Sequence, residues 1–500
     1  MSVPAMQTNS SPTLAELLHA CADAPEIQVT GIASDSRKLA AGFLFLACKG
    51  ENSHGLDYLR QARDAGVCAV AWDSSTADAA DDIGLPMIAV PKLAENLGDI
   101  ANRFYGNPSR NLKTIGVTGT NGKTTVAWLL AECLRLLDER CGYIGTLGYG
   151  LDELQIAEGM TTPAAIELHG QLAAFVDQRA THAAIEVSSH ALAQGRVDGV
   201  AFDAALFTNL TRDHLDYHGD MRGYFESKAR LFVSHPSSHK IINIDSEFGV
   251  ELTERCKQKV VTVSTQFDRV ENGQPFVFVR SVLATENGSE IAVSSSWGDG
   301  TFTLGLPGDF NVANAALVLA YLLSSGVDLE QACDVLQLVD APPGRMQKIS
   351  NSGASIYVDY AHTPDAIESA LRALRPHSRG KVWCVFGCGG DRDIGKRPLM
   401  GRLVERFADK AVVTTDNPRS EDPRKIADEI LAGFDDSGKA TVIEDRAAAI
   451  AWTIAQAGPN DTVLIAGKGH EDYQEIEGSR RPFSDAALAA AATDRKGSEE

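Results

Sequence analysis

The sequence lacks any run approaching the roughly 18 to 20 consecutive apolar residues that cross a bilayer as a helix, which excludes an α-helical membrane protein. It lacks a basic segment followed by an apolar one behind Met1, Ser2, Val3 and Pro4. That is the pattern of a secretion signal, so a cytoplasmic location without membrane insertion is expected. Cysteine is sparse: nine residues, an odd number, run from Cys21 to Cys388 with no CxxC pair. This excludes a disulfide framework and a cysteine-ligated zinc site and leaves free thiols. Positive charge is in deficit, with 46 Lys and Arg against 67 Asp and Glu and a formal net charge of -21. Such a surface opposes the counterion-releasing contacts that nucleic-acid binding needs, so nucleic acid is not an expected partner. No internal repeat is present. The one low-complexity stretch is the alanine-rich run 485–493, read as a terminal helix.

What is present is a soluble globular composition, 44% hydrophobic and 23% charged over 500 residues. That length supports several domains. Three zones follow from the patterning. In residues 1–91, short apolar runs at 42–48 and 67–72 alternate with polar turns, as in a small α/β unit. Residues 92–341 open with a connecting helix over 93–105, stopped by the turn formers Gly106, Asn107, Pro108 and Ser109. A strand at 114–117, a glycine loop and a helix over 123–137 come next. Further strands are expected at 182–187, 204–207, 240–244 and 260–263, separated by helical patterns, as a parallel α/β sheet requires. Residues 342–500 alternate regularly, with strands at 355–359, 381–386, 410–414, 440–443 and 461–466, which is the doubly wound pattern. Two of its helices begin with a cap and a proline, Thr363 with Pro364 and Asp422 with Pro423. The expected fold class is α/β with three domains: a small N-terminal α/β domain, a central P-loop-type ATPase domain and a C-terminal Rossmann-like domain.

The chemistry begins at Gly119, Thr120, Asn121, Gly122, Lys123, Thr124 and Thr125. A lysine preceded by glycine and followed by two threonines, where a strand gives way to a helix, wraps backbone N–H groups around a polyphosphate. Lys123 is expected on the β/γ phosphates and Thr124 on Mg²⁺. Val117 stands where the usual loop has its first glycine, which narrows the range of nucleotide-binding families. The competing reading is a glycine turn with a surface lysine, against which loop, strand and helix all agree. Mg²⁺ needs further oxygen ligands, and Glu186 ends an apolar run just before Val187, Ser188, Ser189 and His190, where α/β ligands bind. Such an acid alone is more often simply solvated. The segment 208–219 packs Asp213, His214, Asp216 and His218 into six positions, a density that admits a second metal.

Taken together, GTNGKTT at 119–125, EVSSH at 186–190, TNLTRDHLDYHG at 208–219 and PPGRMQ at 342–347 resemble the Mur ligase family, in order and over essentially the whole chain. Within that family the third zone is similar to the branch that adds meso-diaminopimelate. The residues that carry this are Asp416, Asn417, Pro418 and Arg419, GDRD at 390–393, GKGHE at 467–471 and VDYAHTP at 358–364.

The resemblance implies an ATP-dependent amide ligase of cytoplasmic peptidoglycan precursor synthesis, a monomer taking UDP-MurNAc-L-Ala-D-Glu, meso-diaminopimelate and ATP. The γ-carboxylate of the D-glutamyl residue takes the γ-phosphoryl group, and the amine then displaces phosphate from the acyl phosphate. It also implies one Mg²⁺ near Thr124 and Glu186 and a second at His214 and a carbamylated Lys228. Read from its residues alone, Lys228 is a helix lysine, most often a solvated one. From the third zone and its approach the resemblance brings Arg345 and Asp359 to the nucleotide, with Asn311 on the adenine side. Catalysis then rests on positioning and charge neutralisation by Lys123, Glu186, His214 and Lys228.

Diaminopimelate differs from lysine by one distal carboxylate, and arginine is its natural reader. Arg419 is expected to hold that carboxylate, with Arg392 as a second candidate and Glu471 and Gly467 taking the distal ammonium. Alone, DNPR would be an ordinary Asn-Pro turn. For the sugar nucleotide the resemblance points to Ser34 and Ser36, with Glu51, Asn52 and Ser53 in the next loop. For the muramoyl peptide it points to Thr161, Thr162, Ser188, Gln194 and Arg196. Met160 departs from the asparagine common there, which puts one polar contact in question. A lysine-adding ligase, a folylpolyglutamate synthase and a non-catalytic nucleotide switch are the rival readings. Arg419, the zone before the glycine loop and the third α/β domain respectively speak against them.

Overall fold

The computed structural model describes residues 11–19, 25–50, 53–77, 83–156, 159–266, 273–285, 288–350 and 353–499. The chain forms two compact units, Met1–Val260 and Val261–Glu500.

In the first unit, strands β1 (Gly31–Ala33), β2 (Phe43–Ala47), β3 (Ala69–Asp73) and β4 (Met87–Val90) form a parallel sheet in sequential order. The expected apolar runs at 42–48 and 67–72 are β2 and β3. The helix Leu93–Phe104 follows, burying Leu93, Ile100, Ala101 and Phe104, one stripe of a 3.6-residue period. Gly106 and Asn107, both at positive φ, end it.

The second sheet element of this unit comprises β5 (Lys113–Thr118), β6 (Cys141–Gly145), β7 (Gly148–Gly150), β8 (His182–Glu186), β9 (Phe202–Phe207) and β10 (His239–Asn243), in the order β10-β9-β5-β8-β6-β7. Every pairing is parallel except the β6–β7 hairpin. Strands covered on both faces read as continuous apolar runs, and β8 and β9 were legible for that reason. β5 lies centrally, so its carboxyl end and those of β8 and β9 open at one edge. The helix Lys123–Leu136 starts there.

In the second unit, β11 (Val261–Ser264), β12 (Phe276–Thr285), β13 (Gly288–Ser295) and β14 (Gly298–Leu304) run in the order β14-β13-β12-β11, and β12–β13–β14 is an antiparallel meander. The sheets are mostly parallel, as expected for the α/β class, and this meander is an antiparallel addition to them. The meander carries polar residues such as Arg280, Glu290 and Asp299 among its apolar ones, the signature of strands with a solvated face, and a search for continuous apolar runs passes over it.

The remaining sheet has β15 (Gln347–Ser350), β16 (Ser355–Asp359), β17 (Val382–Phe386), β18 (Lys410–Val413), β19 (Ala440–Val442) and β20 (Thr462–Ala466) in the order β15-β16-β20-β17-β18-β19. All are parallel but β15. Alternate residues of β17 enter different cores, Cys384 and Phe386 one side and Trp383 and Val385 the other, so helices cover both faces. The two cap-proline starts are as expected: Thr363 accepts from Ala366 N and Asp422 from Arg424 N. A short hairpin, β21 (Tyr473–Ile476) and β22 (Ser479–Pro482), follows β20, and the alanine-rich run lies in the helix Asp485–Glu499.

Candidate active site

The glycine loop leaves β5 and closes on the segment after β9. Thr120 N donates to Asn209 O at 2.9 Å, Asn121 N to Asn209 Oδ1 at 3.0 Å, and Thr208 Oγ1 to Asn121 O at 2.6 Å. A Cβ at Gly119 would lie 1.9 Å from Thr208 Oγ1, so only glycine permits this closure. Gly122 stands at φ +87 immediately before the helix, leaving the first-turn N–H groups without a side-chain cap. Lys123 Nζ donates to the carbonyls of Gly119 at 3.0 Å and Thr120 at 2.8 Å.

Thr124 Oγ1 donates to Glu186 Oε2 at 3.0 Å. Parallel pairing of Val117 with Glu186 brings them together. Glu186 is fully buried. Its other donors are Thr146 N at 2.9 Å, Thr146 Oγ1 at 3.2 Å and the Tyr143 hydroxyl. A carboxylate taken out of water must be matched by donors or by a cation. A hydroxyl and a carboxylate beside an anion-binding loop are the hard oxygen donors that Mg²⁺ prefers.

Lys228, on the helix Met221–Val233, is not the solvated lysine that its sequence context alone suggests; it is 1% exposed. Its Nζ donates to Gly119 O at 2.7 Å and lies 4.5 Å from the Tyr224 ring centroid. Burial, and then repulsion from Lys123, hold its pKa well below the ordinary lysine range, with Asp213 opposing. His214 reaches the same tyrosine, its ring 6.0 Å from that of Tyr224, and its Nε2 lies 3.5 Å from Asp213 Oδ2.

The acid-and-histidine cluster itself does not form a metal cage. Among the described residues no three His, Cys, Asp or Glu side chains gather to hold an ion. Both ring nitrogens of His218 are engaged, Nε2 with Ser189 Oγ at 3.0 Å and Nδ1 with Ser227 Oγ at 3.2 Å. His214 and Lys228 lie against the same tyrosine, Tyr224, from different elements.

The predicted peptide contacts converge beside this site. Buried Thr162 donates to Glu186 O at 2.7 Å and accepts from Ser188 N at 3.0 Å, and Arg196 donates to Thr162 O at 3.0 Å and to Gln194 Oε1 at 2.9 Å. Thr161 accepts from Thr146 at 3.3 Å. Ser34 and Ser36 flank Asp35, which holds Arg37, on the loop after β1, and Ser53 accepts from Tyr58 at 3.2 Å. No hydrogen bond among the described residues joins these three serines to the peptide group. Glu51 and Asn52 lie outside the described residues.

In the second unit, Asp359 ends β16 and accepts from Met346 N and Ala361 N, each at 2.8 Å. Desolvation pushes its pKa up against the pull of Arg345. The Arg345 guanidinium stacks on Tyr360 at 4.8 Å, and its Nε is buried without a hydrogen-bond partner among the described residues. An unsatisfied buried donor of this kind is where a ligand acceptor is to be looked for. Asn311, 2% exposed, donates to Pro307 O at 2.9 Å.

The DNPR and GKGHE segments meet at the carboxyl ends of β18 and β20. Asn417 donates to Glu471 Oε2 at 2.9 Å, Gly467 N donates to Asp359 O at 3.1 Å, and Asp416 accepts from Asn417 N at 2.7 Å. Arg419 sits at φ +53 beside Pro418, donates to Gly390 O at 2.8 Å and lies 3.5 Å from Glu475 Oε2. Arg392 is exposed on the neighbouring loop.

Family models described as the Mur ligase catalytic, middle and glutamate ligase domains match residues 28–105, 117–322 and 344–469. Over 468 residues the chain is 44% identical to UDP-N-acetylmuramoyl-L-alanyl-D-glutamate--2,6-diaminopimelate ligase of Chromobacterium violaceum, covering 93% of this chain and 94% of that one. The chain belongs to the Mur ligase family. A second relative of this Mur ligase, the enzyme of the same name from Pseudomonas aeruginosa, is 44% identical over 462 residues, 92% of this chain and 94% of that one. A solved structure of a ligase of that name superposes with a TM-score of 0.74 at 33% identity, covering 97% of this chain and 99% of that one. As a Mur ligase the chain is an ATP-dependent ligase, and its three-part α/β fold is that of the family.

Several residues of this Mur ligase site escaped the sequence reading. Tyr143 and Thr146 reach Glu186 only because β6 pairs with β8, Tyr143 opposite Ala184, and no local signal announces that. Arg397, fully buried, binds Glu421 at 2.8 Å and Glu429 at 2.5 Å, and Glu421, just after DNPR, also accepts from Asp391 N of GDRD at 2.6 Å. Lys468 did have a signal, since it stands inside GKGHE.

Proposed function

We propose that this ligase joins meso-diaminopimelate to the γ-carboxylate of the D-glutamyl residue of UDP-MurNAc-L-Ala-D-Glu, with ATP converted to ADP and phosphate. The observation that carries the reading is the convergence of the DNPR and GKGHE loops: Asn417 donates to Glu471 and accepts from Glu475 N, and Glu475 faces Arg419, so a guanidinium and a carboxylate stand near each other for a zwitterionic side-chain terminus. The name and 44% identity of the relatives support it.

A carboxylate is a poor electrophile, because expelling oxide from it is prohibitive. ATP supplies the activation: the substrate carboxylate oxygen attacks the γ-phosphorus, the bond to the ADP oxygen breaks, and an acyl phosphate forms. The free amine then attacks the carbonyl carbon, and phosphate leaves as the amine loses a proton.

The glycine loop from Gly119 to Thr125 cradles the phosphates, and Lys123 exchanges its loop carbonyls for phosphate oxygens. Thr124 and Glu186 would hold one Mg²⁺, and His214 with Lys228 as its carbamate a second. When bound, these ions neutralise phosphate charge as the anions approach one another. The depressed pKa of Lys228 favours the neutral amine, the form that adds CO₂ with loss of a proton, which would place an anionic oxygen beside the phosphates. Asn311, Arg345 and Asp359 are the nucleotide contacts proposed in the second unit. Thr161, Thr162, Ser188, Gln194 and Arg196 take the peptide, and Ser34, Ser36 and Ser53, with Glu51 and Asn52, take the uridine diphosphate. Arg419, supported by Arg392, reads the distal carboxylate, and Glu471 with the Gly467 carbonyl takes the distal ammonium. The segments 1–91, 92–341 and 342–500 thus serve the sugar nucleotide, ATP and amino acid.

The test is ADP release by purified protein with UDP-MurNAc-L-Ala-D-Glu, comparing meso-diaminopimelate with L-lysine. ADP with the first and little with the second is expected. Equal rates would sink the specificity, and no ADP with either would sink the ligation.

A further inference from the structure

Lys468 is completely buried. Its Nζ donates to Asn417 Oδ1 at 3.0 Å and to Glu471 Oε2 at 2.9 Å, and it lies 5.4 Å from the Tyr473 ring centroid. Asn417 Oδ1 also accepts from Glu475 N at 2.9 Å, and Glu475 Oε2 faces Arg419 Nε at 3.5 Å. One buried lysine therefore touches the loop after β18 and the loop after β20, and through them Glu471 and Arg419, two of the groups assigned to the distal end of the amino acid.

The geometry constrains what that lysine can do. Glu471 Oε2 is taken by Lys468 and by Asn417 Nδ2, the latter at 2.9 Å. Among the described residues no hydrogen bond reaches Glu471 Oε1, which leaves that oxygen as the acceptor for an incoming ammonium. Fixing one carboxylate oxygen sets the direction of the other. Asn417 could otherwise flip its amide, since its oxygen and nitrogen are nearly isosteric. With Lys468 and Glu475 N both donating to Oδ1, only one orientation is satisfied, and Nδ2 then points at Glu471.

We propose that Lys468 is the positioning residue of the amino-acid pocket: it touches no substrate but sets the orientation of Glu471 and Asn417, and through them the discrimination for a diamino diacid. This rests on the ligase reading above. Lysine suits the role because a compact point charge with three donors satisfies two acceptors from different loops while its stem fills apolar space.

Full-length Lys468→Met is compared with wild type by varying one substrate at a time, with Lys468→Gln carrying the same measurement if the first does not fold. The expected result is a KM for meso-diaminopimelate raised about tenfold or more, with KM for ATP and for the sugar-nucleotide dipeptide within about twofold. The ratio of kcat/KM for meso-diaminopimelate over L-lysine should fall with it. Acyl phosphate trapped by borohydride in the absence of amino acid should persist, since that step does not use the pocket. Adding Lys468→Met to Glu471→Ala should raise KM little further, because the two act in series. An equal rise in all three KM values, or an unchanged preference over lysine, overturns the positioning role. Wild type that releases no ADP with meso-diaminopimelate overturns the ligase reading and this inference together.

Discussion

Thr124 Oγ1 donates to Glu186 Oε2 at 3.0 Å, joining the first turn behind the glycine loop to the end of the adjacent strand. Glu186 is fully buried and takes three further donors from Tyr143 and Thr146. Glu186→Gln places an NH₂ among those donors. It should lower stability by about 1–3 kcal/mol and raise the Mg²⁺ concentration for half-maximal ADP release at least about tenfold. A magnesium titration with a parallel melting curve measures both, and an unshifted titration would count against the assignment of Glu186.

Lys228 carries a pKa well below the ordinary range, its burial being the leading cause. The folded value lies below the unfolded value of about 10.4, so between the two the unfolded chain binds the extra proton. Stability should therefore rise with pH through that window and level off above the unfolded value. In CO₂-free buffer, Lys228→Met should flatten this slope while abolishing ligation. Melting midpoints across pH for both proteins decide it, and parallel curves would rule it out.

On the proposed reading, Arg419 would hold the distal carboxylate through charge-assisted hydrogen bonds, each worth about 1.5–3 kcal/mol. Arg419→Ala should cost meso-diaminopimelate roughly 10- to 150-fold in kcat/KM and leave L-lysine nearly unaffected. Competition between the two amino acids in one tube gives the ratio directly.

Arg397 is buried between Glu421 and Glu429, and its hydrogen bonds pull Glu421 down to about 2. A depressed carboxylate contributes stability above its unfolded pKa of about 4.3, and that contribution drains as pH falls toward the folded value. Acid unfolding followed by tryptophan fluorescence should shift to higher pH in Arg397→Met. At neutral pH the variant should lose an amount toward the lower end of the roughly 3–5 kcal/mol seen for broken buried pairs, since both carboxylates keep some solvent.

The sheet strands that are buried on both faces could be read from the sequence almost to the residue, β16 among them, because continuous burial writes itself as an apolar run. The glycine loop and DNPR were legible because backbone closure and anion recognition tolerate few residue types. The β12–β14 meander was not, since exposed and polar residues interrupt its buried ones. The partners of Glu186 and the ties of Lys468 and Arg397 were not legible either, since each depends on which strand lies beside which, and that is a property of the assembled sheet. Lys228 shows the same limit from the other side. Its local pattern is that of an exposed helix residue, and only the packing of its helix behind the glycine loop buries it.

The carbonyl oxygen of Gly119 receives both Lys123 Nζ, at 3.0 Å, and Lys228 Nζ, at 2.7 Å. Both lone pairs of that oxygen are thereby used, and the two amines are held side by side. Capture of CO₂ by Lys228, as proposed above, would put an anion next to Lys123 and make an ion pair. On that reading, ligation would depend on dissolved CO₂ as well as on the three substrates.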